Sequence, residues 1–182
     1  MSRLASLRML GVGAILASSL MFSSGSLALA QDTKVDPSQS HLALVHKGTC
    51  ASLDPTAQQN LNNVEPRKDD NGNVKTDPKG VLTSPPVLFS STNVDMKMDD
   101  MLADSHAINI HKSAKEPSVY LACGDIGGTV INDKLYIGLA PLNNSGFYGV
   151  ATLEKDGDKT KIEIYLVQGT PGKTEPNATP AT

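Results

Sequence analysis

The sequence predicts an all-β domain. The expected architecture is an antiparallel Greek-key sandwich or barrel of about seven short strands with one long loop. Three observations carry this expectation. Short apolar runs recur with turn residues between them. The last two runs are joined by Asp156-Gly157-Asp158, a strong hairpin signal. Two cysteines, Cys50 and Cys123, stand in a chain that opens with an export signal.

The signal comes first. Arg3 and Arg8 precede an apolar run over residues 9–22, and Ala28-Leu29-Ala30 forms a small-residue cleavage site before Gln31. A retained membrane anchor is the alternative. The run is short for a bilayer span, however, and Gly11, Gly13, Ser18 and Ser19 interrupt it. No other stretch is apolar enough to span a membrane, so no span is expected once residues 1–30 are removed. The protein is then secreted or periplasmic.

Of 182 residues, 152 remain after the signal, which suits a single domain. The full chain has 16 basic and 19 acidic residues. Loss of Arg3 and Arg8 leaves 14 against 19, a net charge of −5. That balance argues against nucleic acid as a partner, which needs a basic face. It leaves an unidentified protein or envelope component.

Residues 31–40 form a lead-in and residues 41–168 the domain. The strand readings are 41–46 (HLALVH), 87–96, 106–112 (HAINIHK), 118–126 (SVYLACGDI), 134–142, 147–155 and 160–168. In the last of these, Ile162, Ile164 and Leu166 share one face, and Glu163, Tyr165 and Val167 the other. Residues 51–86 are rich in Asn, Asp, Pro, Lys and Gly and read as a long surface excursion. Residues 98–104 fit one or two helical turns with Met98, Met101 and Leu102 on one side. The tail, 169–182, has little to bury and reads as disordered.

Several motifs carry little. No nucleophile elbow, P-loop or dinucleotide fingerprint is present. Asp69-Asp70-Asn71-Gly72-Asn73 lacks calcium-loop spacing and reads as a solvated loop. Asn143-Asn144-Ser145 and Asn177-Ala178-Thr179 are formal glycosylation sequons.

All four histidines fall in two strands, as His41/His46 and His106/His111. Imidazole suits copper and zinc. Positions i and i+5 on a strand face opposite ways, so neither pair can chelate one ion. A shared site takes one residue from each strand, His46 with His111, and two imidazoles alone make an incomplete site. Strand-end histidines with ordinary hydrogen bonds are the competing reading. The two cysteines read as one disulfide, with free thiols or soft metal ligands as the alternative.

These residues resemble a family. Residues 118–127 (SVYLACGDIG) look like the closing segment of copper–zinc superoxide dismutases, R-L-A-C-G-V-I-G. Ile108-Asn109-Ile110-His111-Lys112 resembles that family's V-V-H-E strand, whose His binds copper. Leu44-Val45-His46 with Gly48 and Cys50 resembles the H-V-H…G…C stretch. There two histidines bind copper and the Cys pairs with the Cys of the closing segment. The resemblance thus implies a Cys50–Cys123 disulfide. Residues 139–168 are similar to the family's N-terminal strands but follow the closing segment here, as in a circular permutation. The same segments also resemble chordin-type CHRD domains and related exported bacterial proteins, which adds adhesion or a matrix role by fold analogy.

The departures bear on function. Leu44 stands where the first His of H-V-H would be. No histidine lies between His46 and His106, so the family's zinc site is missing. Tyr120 replaces the Arg that guides superoxide. The resemblance therefore implies a dismutase-like scaffold without dismutase activity, serving as a binding or structural module. Its alternative is copper binding, with weak redox activity, through His46 and His111, joined by His41 or His106 only if the strands bend.

Overall fold

A computed structural model describes residues 38–75, 79–80 and 85–169 of the chain. Residues 1–37, which include the expected export signal, residues 170–182 of the tail expected to be disordered, and segments 76–78 and 81–84 lie outside these residues. Among the described residues, nine strands and one short helix follow in order. They are β1 (Leu42–Thr49), β2 (Ser52–Asn60), β3 (Glu65–Pro66), β4 (Val87–Val94), α1 (Met98–Ala103), β5 (His106–Ser113), β6 (Glu116–Asp125), β7 (Lys134–Pro141), β8 (Phe147–Asp156) and β9 (Lys159–Gln168).

All strand pairings are antiparallel, in the order β2-β1-β5-β6-β7-β8-β9-β4-β3. The fold is all-β, one curled sheet forming a half-barrel. A long connection through α1, β5 and β6 leads from β4 to β7; β7, β8 and β9 then follow as hairpins and β9 comes back beside β4, the Greek-key arrangement. The curl brings the two ends of the sheet together at one rim. His41, just before β1, exchanges backbone hydrogen bonds of 3.0 and 2.8 Å with Val64, just before β3.

Seven strands coincide with the seven runs of the sequence. The other two, β2 and β3, lie in the stretch expected to be an excursion. The physical reason is visible in β2. It is an edge strand, none of its nine residues is buried, and it contains Pro55, which an edge tolerates. A strand without a buried face has no strong two-residue pattern to read.

The core follows from alternation. Ile162, Ile164 and Leu166 of β9 are all buried, opposite Leu153, Ala151 and Gly149 of β8. Val45 and Ala43 of β1 are buried opposite Ile108 and Ile110 of β5. Met98 and Met101 of α1 close the core from the side, with Leu102 packed against it. The β8–β9 loop has two residues, Gly157 and Asp158, between the paired Asp156 and Lys159. Gly157 has φ 62° and Asp158 is not left-handed, the pattern of a type II′ turn. The Asp-Gly dipeptide therefore sits one position earlier than in a type I′ turn.

Cys50, in the β1–β2 turn, is bonded to Cys123 of β6, with a Cα–Cα distance of 5.8 Å. The Cys50 backbone N–H donates to Asp125 Oδ1 at 2.6 Å, fixing the turn against the same strand. The bond spans 73 residues, for which chain entropy gives about 4 kcal/mol of stabilisation. Among the described residues no helix is long and apolar enough to cross a membrane.

Two substitutions separate the faces. Ile164→Ala is expected to lower unfolding free energy by about 2–5 kcal/mol in urea titrations. Tyr136→Ser, on the exposed face, should change it by no more than about 0.5 kcal/mol. Equal effects would contradict the inward direction assigned to β9.

Candidate functional site

The β1–β5 ladder decides where each histidine goes. Its register pairs Leu42 with His111, Leu44 with Asn109 and His46 with Ala107 on one face. Ala43, Val45, Ile108 and Ile110 occupy the other face, in the core. His46 and His111 therefore share the face turned away from that core. His41 and His106 belong to the opposite face, at opposite ends of the ladder.

Both rings of the shared face sit at irregularities. Pairing of β1 with β2 shifts register on either side of His46, and pairing of β5 with β6 shifts on either side of His111. Such bulges re-aim a side chain. Gly48 makes the first one feasible. Its φ is 91°, and a Cβ there would lie 2.2 Å from the Ser52 carbonyl oxygen. The outcome is convergence: His46 Nε2 and His111 Nε2 are 3.4 Å apart, and both rings are buried.

The remote nitrogens fix the protonation pattern. His46 Nδ1 lies 2.8 Å from the Asp54 carbonyl oxygen, and His111 Nδ1 is in close contact with the Pro117 carbonyl oxygen. A carbonyl only accepts, so each Nδ1 carries the proton and donates. In a neutral ring Nε2 then holds a lone pair, and the two lone pairs point into one space. Burial pushes the His111 pKa below its ordinary value. The Pro117 bond opposes that shift, and the nearby His46 adds to it. Two lone pairs at this separation invite a shared cation. With metal–nitrogen bonds of about 2.0–2.1 Å, the 3.4 Å separation subtends about 110° at an ion, near tetrahedral. Carbonyl-bound Nδ1–H groups are also the usual support for metal-binding imidazoles.

Two further side chains border the pair. Tyr120 meets the His111 ring edge-on, with centroids 4.9 Å apart. Asn109 is fully buried, and its Nδ2 stands 3.4 Å from His111 Nε2 while its Oδ1 has no partner. Asn109 escaped the sequence reading, although its i, i+2 relation to His111 placed it on the same face.

His41 and His106 stay apart from the pair. His41 donates from Nδ1 to the Lys112 carbonyl oxygen at 2.9 Å and meets Phe147 edge-on at 4.8 Å. Burial lowers its pKa, and the Lys112 bond partly offsets this. His106 Nδ1 lies 3.1 Å from the Met101 carbonyl oxygen and 3.2 Å from that of Asp104, capping the end of α1. Among the described residues no group of three or more His, Cys, Asp or Glu side chains could hold a metal ion.

The weaker motifs have local roles. Asp69 Oδ1 accepts from the Asn71 and Asn73 N–H groups, and its other oxygen pairs with Lys75 at 2.8 Å. Asn143 Nδ2 donates to the Tyr120 carbonyl oxygen at 3.1 Å, so that sequon amide is already engaged. Asn177 lies outside the described residues. No family model, curated protein or solved structure matches the chain.

His41 supplies a pH test. Its folded pKa is depressed, so the unfolded chain takes up the proton first as pH falls through about 6.5. Its contribution is fully present above pH 6.5 and is lost below it until the folded pKa is passed. Stability should therefore fall as the pH drops below about 6.5, and His41→Gln should flatten that slope. An unchanged slope in urea titrations of the variant would assign the loss to other groups.

Proposed function

We propose that this chain is an exported, dismutase-like β-barrel that binds one copper ion on His46 and His111 and does not turn over superoxide. The observation that carries the reading is the 3.4 Å approach of two Nε2 atoms whose Nδ1 partners leave both lone pairs facing inward. Copper suits the donors. Imidazole is a borderline ligand, divalent copper heads the affinity order, and two imidazoles are too few for an ordinary zinc site. The disulfide accords with an oxidising compartment, where exported copper proteins work.

The sequence supports the absence of turnover. Leu44 occupies the place of one family copper ligand, no histidine lies between His46 and His106, and Tyr120 stands where the family carries its guiding Arg. Bound copper would supply one-electron chemistry. The chain's own part is to hold and insulate. The Asp54 and Pro117 carbonyls keep both rings in one tautomer, and burial favours the neutral form of the His111 ring.

Calorimetry with Cu(I) and Cu(II) tests this. The wild type should bind one equivalent, and His46→Ala or His111→Ala should each lower the affinity at least tenfold. Dismutase assays of the loaded protein should show no turnover above free copper. Binding indifferent to both substitutions would leave a scaffold without this site. Robust turnover would overturn the second half of the proposal.

A further inference from the structure

One buried polar atom at the site is unaccounted for. Asn109 has no exposed surface, yet its Oδ1 accepts no hydrogen bond. Leaving such an acceptor unsatisfied costs about 1–3 kcal/mol. A residue placed only to fill the space between His46 and His111 would be better as Leu, the residue directly opposite it at position 44. The amide instead aims its Nδ2 at His111 Nε2 from 3.4 Å, a long approach for a hydrogen bond.

We propose that Asn109 is the third donor of the two-histidine site, its amide turning over so that Oδ1 faces the bound ion. This inference rests on the reading of His46 and His111 as a metal site. In the ion-free protein the Nδ2–H group faces the His111 lone pair, a weak but favourable contact. A cation between the imidazoles repels that N–H and attracts the carbonyl oxygen. Rotation about the last side-chain bond exchanges two atoms of nearly equal size, so no repacking is needed. The orphaned oxygen then gains the partner it lacks, and the donor set becomes two nitrogens and one oxygen.

The chemistry sets a preference between oxidation states. Amide oxygen is a hard donor that suits divalent ions, and it adds little for soft monovalent copper. Asn109 therefore makes the site favour Cu(II) over Cu(I), relative to two imidazoles alone.

Metal titration and potentiometry test this on the full folded domain. Asn109→Leu is expected to weaken Cu(II) binding about tenfold or more while leaving Cu(I) binding within about twofold. A tenfold selective loss raises the midpoint potential by about 59 mV. Asn109→Asp, nearly the same shape with a full charge, should tighten Cu(II) and lower the potential. It keeps the test open if the Leu variant folds poorly. Unchanged Cu(II) affinity and potential in both variants, with binding still dependent on His46, would overturn the role of Asn109 alone. A wild type that binds no copper would overturn the two-histidine reading and this inference with it.

Discussion

The register of β1 on β5 is the constraint on which the rest of the molecule depends. Val45 faces Ile108 and Ala43 faces Ile110 inside the core, so Leu44, His46, Asn109 and His111 must share the other face. A slip of one residue would exchange these sets, pulling four apolar side chains out of the core and pushing the imidazoles and the Asn109 amide into it. Polar groups cut off from their hydrogen-bond partners inside hydrocarbon are costly, and this holds the register firmly. The site is thus a by-product of core packing. The hydrophobic effect places the two rings on one face, and only the last few ångströms of their approach require special geometry.

That final approach comes from irregularity. In a regular ladder His46 would sit four residues along β5 from His111, opposite Ala107. The bulges around each ring, the left-handed Gly48 and the two carbonyl acceptors lean the rings toward each other over the Leu44–Asn109 pair. The disulfide works next to this device. It fastens the turn that follows Gly48 to β6, the strand whose Pro117 carbonyl orients His111. Loop-closure entropy is removed from the unfolded chain, and the bulged end of β1 is held against its neighbours.

Much of this was legible in the sequence, and the exceptions have physical causes. Seven strands announced themselves as short apolar runs between turn residues, the Asp-Gly hairpin through its turn and the alternation beside it, and α1 through Met98 and Met101. β2 did not, because an exposed edge strand with a proline carries no alternation. The opposition of His41 to His46 and of His106 to His111 followed from the two-residue period alone. Their convergence did not, since bulges cannot be read from spacing. Asn109 was invisible for another reason. An asparagine in a strand looks like a surface residue until its surroundings show it buried with one oxygen unpartnered.

The central claim is that the Nε2 atoms of His46 and His111 form one site. Long-range proton–nitrogen NMR of the imidazoles during titration with diamagnetic Cu(I) tests it directly. The account predicts that both rings carry their proton on Nδ1 before addition, and that both Nε2 resonances move together and stop at one equivalent, while those of His41 and His106 stay in place. Protons found on Nε2, or one ring shifting without the other, would contradict it.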